Sequence, residues 1–525
     1  MPRPLAGAQI ASLMAHGAPL PHMPDDSPHD DSQRRWILVA LMLTLMLAAM
    51  DITIVSTAIP QIVDDLGGFA LFAWVFSIYL LAQTVTIPIY GKLADMFGRK
   101  PVLIVGSVIF LTGSVASALA WNMVALIVFR GLQGLGAGSI MATVNTLAGD
   151  LYSVRERARI QGWLSSVWGM AALVGPLLGG AFADYASWRW IFLINLPIGV
   201  VSIGLIARYL HEKPVHRSHQ IDYLGAALML GGGASLIFGL LQGGQAWAWW
   251  STPSLVVFAL AALLIAAAVL VERRAAEPVM PGWLWHRRVL AGTNLTMVGM
   301  GLAMIGPSTY LPMFGQSVLG LGAIAAGFVL ASMSIGWPVA SSLSGHLYTR
   351  IGFRDAALVG AVLVVIASLG FLLLPYPASV WLVVLDQVVL GAGFGLLSTP
   401  LLVGVQSTIT WQDRGVVTGA NIFSRYLGQS LGAAAFGAVF NGAIARELAH
   451  VPETLHAQLP KHVDAVIGAL QHGMADRAAQ DYLRHAMDVA TRDIFLGMLV
   501  VSLCTLGVLL LTPRRFEQVE DRSSG

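Results

Sequence analysis

Fourteen runs of about twenty mostly apolar residues divide this chain, near 36–58, 71–90, 102–121, 123–145, 160–183, 189–210, 221–241, 253–271, 290–313, 322–344, 356–375, 379–402, 418–441 and 493–512. That length lets a helix cross the hydrocarbon of a bilayer while its backbone polar groups pair within the helix. Of 525 residues, 56% are hydrophobic and 11% charged, with a mean hydropathy of +0.72; a soluble domain carries about 25% charged residues. One globule of this size cannot bury so much apolar surface, so the lipid bilayer is the expected solvent and the fold class an all-α polytopic membrane protein. A net charge of +2 without a basic stripe argues against a nucleic-acid partner. The single cysteine, Cys504, lies in an apolar run, which leaves no disulfide framework and no thiolate metal site. His16, His22 and His29 dot a Pro- and Asp-rich stretch read as a disordered tail, not a metal site. Gln9, Ser12 and His16 interrupt the apolar part that a signal peptide would need. No metal and no cofactor are expected.

Lys and Arg orient the spans. With the N-terminus inside, 22 of the 30 fall on the cytoplasmic side, six on the outer side and two within spans. Both termini are therefore expected in the cytoplasm. The chain also repeats itself. "STAIP" (56–60) returns as "STYLP" (308–312), "GKLADMFGRK" (91–100) as "GHLYTRIGFR" (345–354), and "QGLGAG" (133–138) as "LGAGFG" (390–395). Three ordered matches at nearly one offset predict two six-helix halves. The expected division is a tail 1–35, a first half 36–215, two inserted linker helices in 216–286, a second half 287–513 with an outer connection 442–492, and a tail 514–525. Parallel halves are a transporter architecture, with substrate near the midplane where they meet.

The motifs resemble a known family. "GKLADMFGRK" is similar to the loop 2–3 signature of the major facilitator superfamily, and "LIVFRGLQGLGAG" (126–138) to its span 4 motif. "GMAALVGPLLGG" (169–180) resembles the span 5 motif of its antiporters. "MDITIVSTAIP" (50–60) and "WRWIFLINLPIG" (188–199), with fourteen spans, resemble the EmrB/QacA-type drug:proton antiporters. The resemblance covers roughly 36–513. It implies the major facilitator fold and an inner-membrane exporter driven by proton influx, with small-molecule cargo and protons as partners. It leaves the cargo open.

Within that resemblance, Asp95 is expected to meet a helix terminus of the opposite half and hold a cytoplasmic gate shut. Gly91 and Gly98 would permit close approach, Arg99 and Lys100 flank the acid, and Asp150 would complete the charge cluster. Positive charge at Lys92, Arg99 and Lys100 also serves orientation alone; Asp95 and the framing glycines are not explained that way. The second-half copy has Thr349 where Asp95 stands, so a symmetric latch is weakened there. Pro176, between Gly175 and the pair Gly179 and Gly180, is expected to form with Gly169 a pliable hinge or leak seal pressed against the other half.

Four charges lie well inside spans: Asp51, Arg130, Asp386 and Arg425. A charge at mid-bilayer costs at least about 2.5–3.5 kcal/mol, so such groups pair or line a watery cavity. Asp51 and Arg130 lie at matching depth in one half and are expected to form the proton-coupling pair, a static ion pair being the plainer reading. Asp386 is read either as a site for cationic cargo, facing Asp51 across the halves, or as the partner of Arg425. Among aromatics that could stack on flat cargo are Trp163, Trp168, Tyr310, Phe314, Trp337, Phe423 and Tyr426, most of them expected to pack or face lipid; Trp247, Trp249 and Trp250 are expected to mark the outer interface. Val463, Val466, Ile467 and Leu470 form a helical stripe in the outer connection, read as a packed cap in preference to a contact for a periplasmic adaptor.

Other classes fit less well. An ATP-driven pump needs a phosphate-cradling loop and a soluble nucleotide domain, and neither is seen. An enzyme needs a catalytic set; "HEKPVH" (211–216) has the wrong spacing for zinc, and Pro214 breaks the helix. A metabolite-specific exporter, an uncoupled facilitator of the same fold and a non-transporting sensor remain as alternatives.

Overall fold

The computed structural model describes residues 31–67, 71–212, 222–243, 247–376, 378–451, 455, 459 and 476–519. Its long elements are all helices. We number them α1 (Asp31–Thr57), α2 (Phe72–Phe97), α3 (Arg99–Ala118), α4 (Met123–Leu151), α5 (Val154–Tyr185), α6 (in two pieces, Trp190–Leu193 and Asn195–Tyr209), α7 (Tyr223–Gln242) and α8 (Thr252–Glu272). There follow α9 (Arg288–Ser317), α10 (in two pieces, Ala323–Ala331 and Met333–Ile351), α11 (Phe353–Leu372), α12 (Val380–Ser407), α13 (Arg414–Ala449) and α14 (Arg477–Leu511). Among the described residues, thirteen are long and apolar enough to cross a membrane. The exception is α13, where Asn421, Arg425, Gln429 and Ser430 dilute the apolar content; it nevertheless packs lengthwise against α9, α2 and α14.

Glycine sets how closely the helices approach, and the same approaches occur twice. In the first six helices Gly134 abuts the carbonyl of Tyr79, Gly138 that of Gln83, and Gly136 that of Gly106. Further along the chain Gly391 abuts the carbonyl of Met333, Gly395 that of Trp337, and Gly393 that of Gly360. Thus α4 lies between α2 and α3 as α12 lies between α10 and α11. The turns correspond too: Gly98 (φ 94°) joins α2 to α3, and Gly352 (φ 93°) joins α10 to α11. A Cβ is strained at such positive φ, and glycine is not.

Buried apolar side chains form two clusters, one from residues 37–210 and one from residues 284–516. The exceptions are Ile422 and Tyr426 of α13, which join the first cluster, and Ala158 of α5, which joins the second. These two helices carry the seams: α13 packs on α2, and α5 on α10. The pair α7–α8 packs on itself and lays α7 against α2 and α13, with the rings of Trp74 and Phe238 5.4 Å apart.

One expected boundary changes. Residues 442–449 and 477–492, assigned from sequence to the outer connection, are helix. Charge ended the apolar run without ending the helix: Arg492 pairs with Asp488 one turn earlier (2.8 Å) and donates to the carbonyls of Leu372 and Leu374 at the end of α11. Val463, Val466, Ile467 and Leu470 lie outside the described residues, as do His16, His22 and His29. On the same end of the bundle, Asp65 accepts from Arg189 (2.6 Å) and from the Trp188 indole (3.0 Å), which hold its carboxyl below the usual carboxylate range.

Candidate functional site

Two polar centres interrupt the apolar bundle. The first closes the end of the bundle that carries most of the positive charge. Asp95 sits in the last turn of α2, and its two oxygens accept the backbone amides of Gly415 (2.9 Å) and Val416 (2.8 Å) in the first turn of α13. Those amides have no partner within their own helix, and the helix dipole favours an anion there. Arg99 donates to Asp95 (2.9 Å) and to Asp150 (2.9 Å), and Arg414 donates to Asp150 (2.6 Å). Two acids and two arginines thus alternate between α2, α3 and α4 on one side and α13 on the other. The Arg99 guanidinium also lies 3.7 Å over the Trp411 ring and donates to its carbonyl. Arg99 is fully buried; a charge so placed is tolerable only when paired and hydrogen-bonded. Glycine permits the approach, since a Cβ on Gly91 would lie 2.5 Å from the Gly415 carbonyl oxygen.

Lys100 does not join this ring. Its ammonium donates to the carbonyls of Ala207 and Leu210 at the end of α6 (2.9 and 2.7 Å). The Glu212 carboxylate in turn accepts the amides of Arg99 and Lys100 at the start of α3 (both 2.9 Å). Lys100 and the turn at Gly98 therefore dock α3 on α6 within one half. Thr349 makes no counterpart of the Asp95 contact: its hydroxyl donates to the Gly345 carbonyl of its own helix (2.8 Å). The neighbouring Tyr348 hydroxyl instead donates to the Val154 carbonyl, and Gln406 reaches the Asn145 carbonyl (3.1 Å), so the second seam is also tied at this end.

The second centre lies inside the first six helices. Asp51 of α1 and Arg130 of α4 are both fully buried and form an ion pair. Gln133 closes a triangle, accepting from Arg130 (2.7 Å) and donating to Asp51 (2.8 Å). Asn195 of α6 lies near Asp51 and donates to Ser114 of α3 (3.0 Å). Tyr79 of α2 offers its ring to Arg130, 4.3 Å from the guanidinium carbon. Sequence reasoning found the two charges and missed Gln133, Asn195, Ser114 and Tyr79. Uncharged polar residues hardly disturb an apolar run; Gln133 and Asn195 were nonetheless inside the quoted motifs.

The span 5 motif divides its contacts. Gly169 faces Ser334 of α10, on the other side of the seam, as expected. Gly175 faces Thr53 of α1 in the same half, and Gly180 meets nothing within 4 Å. Gly179 is buried and Pro176 exposed. Thr53, which donates to the Ala171 carbonyl (2.9 Å), ties this part of the motif to α1 of the same half.

Asp386 and Arg425 are not brought together. Asp386 accepts from its neighbour Gln387 (3.0 Å) and lies against Gly370 of α11. Arg425 packs beside Tyr426, 5.4 Å from its ring centroid. Among the described residues no ion pair joins them. Nor does Asp386 face Asp51, because each carboxylate turns toward helices of its own half. Depth along a helix was legible, but the direction around it was not. Of the aromatic candidates, Tyr310, Phe314 and Trp337 pack on Phe440, Phe371 and Phe394, Tyr426 is buried in the first cluster with Phe423 packed against it, and Trp163 is half exposed. Trp249 stacks on Phe258, while Trp250 is exposed beyond α7.

Residues 41–433 match the model of the Major Facilitator Superfamily. "Multidrug transporter protein MdtP" of Bacillus subtilis (strain 168) is 34% identical over 456 residues, which cover 86% of this chain and 84% of that one. "Multidrug resistance protein 3" of the same organism is 35% identical over 428 residues, covering 81% and 83%. Among solved structures, that of the human organic anion transporter MFSD10 (TETRAN) aligns with a TM-score of 0.60 at 14% identity, covering 90% of this chain and 99% of that one. This last likeness is one of fold.

Proposed function

The chain belongs to the Major Facilitator Superfamily, and from that premise we propose that it is a proton-driven exporter of small lipophilic or cationic compounds, of the fourteen-span EmrB/QacA type. It is a membrane transporter, not an enzyme. In our reading it sits in a bacterial inner membrane with both termini in the cytoplasm, so the charged end is the cytoplasmic one. The two multidrug relatives support the cargo class. The single observation that carries proton coupling is the buried Asp51–Arg130 pair.

The ring around Asp95 acts as the cytoplasmic gate. The bonds from Asp95 to the α13 amides, and from Arg414 to Asp150, exist only while the two halves meet at this end. A carboxylate at a helix N-terminus gains about 0.3–1 kcal/mol, and charge-assisted hydrogen bonds about 1.5–3 kcal/mol each. Such a latch holds one state and still breaks in each cycle. At the second centre, Arg130 favours the anionic form of Asp51 while burial opposes it. When helix movement parts them, a carboxylate in an apolar interior takes up a proton. A proton arriving from outside would release cargo, and its loss inside would restore the pair. Asp386 is free of Arg425 and stands as a secondary candidate for cationic cargo.

The test is cargo flux in proteoliposomes holding the purified protein. A cationic dye should accumulate against its gradient when a pH gradient is imposed, and stop when the gradient is collapsed. Flux that ignores the gradient would make the protein an uncoupled facilitator, and no flux across a screen of dyes, antibiotics and metabolites would favour a sensor.

A further inference from the structure

One face of α5 has no place in the transport cycle described above. Trp163, Met170, Val174 and Leu177 recur at helical spacing and are all exposed. They lie away from Gln161, which reaches Asn145 of α4 inside the bundle (3.4 Å). On α10, Ile335 and Val339 form a matching exposed stripe across the seam. Toward the charged end both stripes turn polar: α5 continues into Arg159 and Arg155, and α10 into Ser342 and His346. There the surface opens into a cavity of about 1080 Å³ that also reaches Arg34 and Arg35 of α1.

The charges in this cavity do not balance. Among the described residues its one acid, Glu156, is engaged by Arg34 (3.1 Å) and by the Ser153 amide and hydroxyl (2.9 and 2.8 Å). Arg35, Arg155 and Arg159 are exposed and have no ion pair among the described residues. Arg155 and Arg159 stand one turn apart on the same helix face, where like charges repel. An apolar groove running into an unneutralised basic cavity matches an amphiphile with an anionic head.

We propose that this groove is a binding site for an anionic phospholipid, whose phosphate lies between Arg155 and Arg159 and whose chains lie along the α5–α10 seam. The lining comes from both halves, so a lipid held there bridges them at the end that the Asp95 ring also closes. Placing it in the cytoplasmic leaflet rests on the orientation proposed above. The binding itself does not, and the test below uses neither sidedness nor flux, so its failure would leave the exporter reading intact.

The experiment is native mass spectrometry of the purified full-length protein taken from mixed micelles of phosphatidylglycerol and phosphatidylcholine. Wild type should retain phosphatidylglycerol preferentially. Each arginine near an anionic headgroup contributes about a fivefold preference, so Arg155→Gln/Arg159→Gln should lose most of it, and Arg155→Lys/Arg159→Lys should keep most of it. The exposed pair on the same end but outside the groove serves as control: Arg273→Gln/Arg274→Gln should leave the preference unchanged. Soluble glycerol phosphate should fail to displace the lipid at concentrations where phosphatidylglycerol itself does. Wild-type preference in the Gln pair, an equal loss in the control pair, or displacement by glycerol phosphate as readily as by lipid would each overturn the proposal. Elution as a monodisperse peak separates lost binding from lost folding.

Discussion

Both oxygens of Asp95 are engaged across the seam, each by a backbone amide, and Arg99 of the same half bonds one of them as well. Asparagine in its place keeps one acceptor and loses the charge. The hydrogen bonds then drop from the charge-assisted class to the neutral one, a loss of about 1–2 kcal/mol. We therefore expect Asp95→Asn to shift the closed-to-open ratio at this end by about five- to thirtyfold and to slow export, with normal insertion. Spin-label distances between α2 and α13 report the first effect and dye efflux the second; wild-type values for both would remove Asp95 from the gate. At this scale the sequence was most legible where a residue violates its surroundings. Asp95 in a basic loop, and Asp51 and Arg130 in apolar runs, could be named at once. Gln133 and Asn195 could not, because an amide in a membrane helix is unremarkable until its partner is known. Lys100 turns to α6, and Asp386 turns away from Arg425 and Asp51, for a shared reason: proximity in sequence or in depth says nothing about which way a side chain turns.

Between elements, glycine decides how closely backbones approach. The α2–α13 contact is built on Gly91 against Gly415, and a Cβ at Gly91 would enter the space of a backbone carbonyl oxygen, which cannot move aside without its helix. Gly91→Val should hold the two helices apart and weaken the Asp95 bonds without removing Asp95. Thiol-specific labelling of a single cysteine at position 94, buried in the closed state, should become several-fold faster; an unchanged rate would show that the approach is dispensable. The glycine repeats were readable as motifs, and the structure shows their use as carbonyl contacts recurring in the same order in both sets of helices. Helix ends were less legible. Hydropathy reports where a helix leaves lipid, not where its backbone stops: α14 extends past the apolar boundary with Arg492 and Asp488 paired along it, and α13 with Arg446 paired to Asp493 of α14.

For the whole molecule, charge asymmetry sets the proposed orientation. In a Cys504→Ala background, Trp250→Cys should react with an impermeant thiol reagent from outside the cell and Arg274→Cys only from inside; both parent residues are exposed, at opposite ends of α8. Reaction of both from one side would contradict the fourteen-span topology. The central claim is that one buried pair couples protons to cargo, and it is tested most directly by measuring uphill and downhill transport with Asp51→Asn in proteoliposomes. The account predicts that this variant no longer concentrates a cationic dye when a pH gradient is imposed, while exchange of dye down its own gradient persists. If the neutral variant still accumulates dye against its gradient in response to protons, the coupling acid lies elsewhere and the account is contradicted.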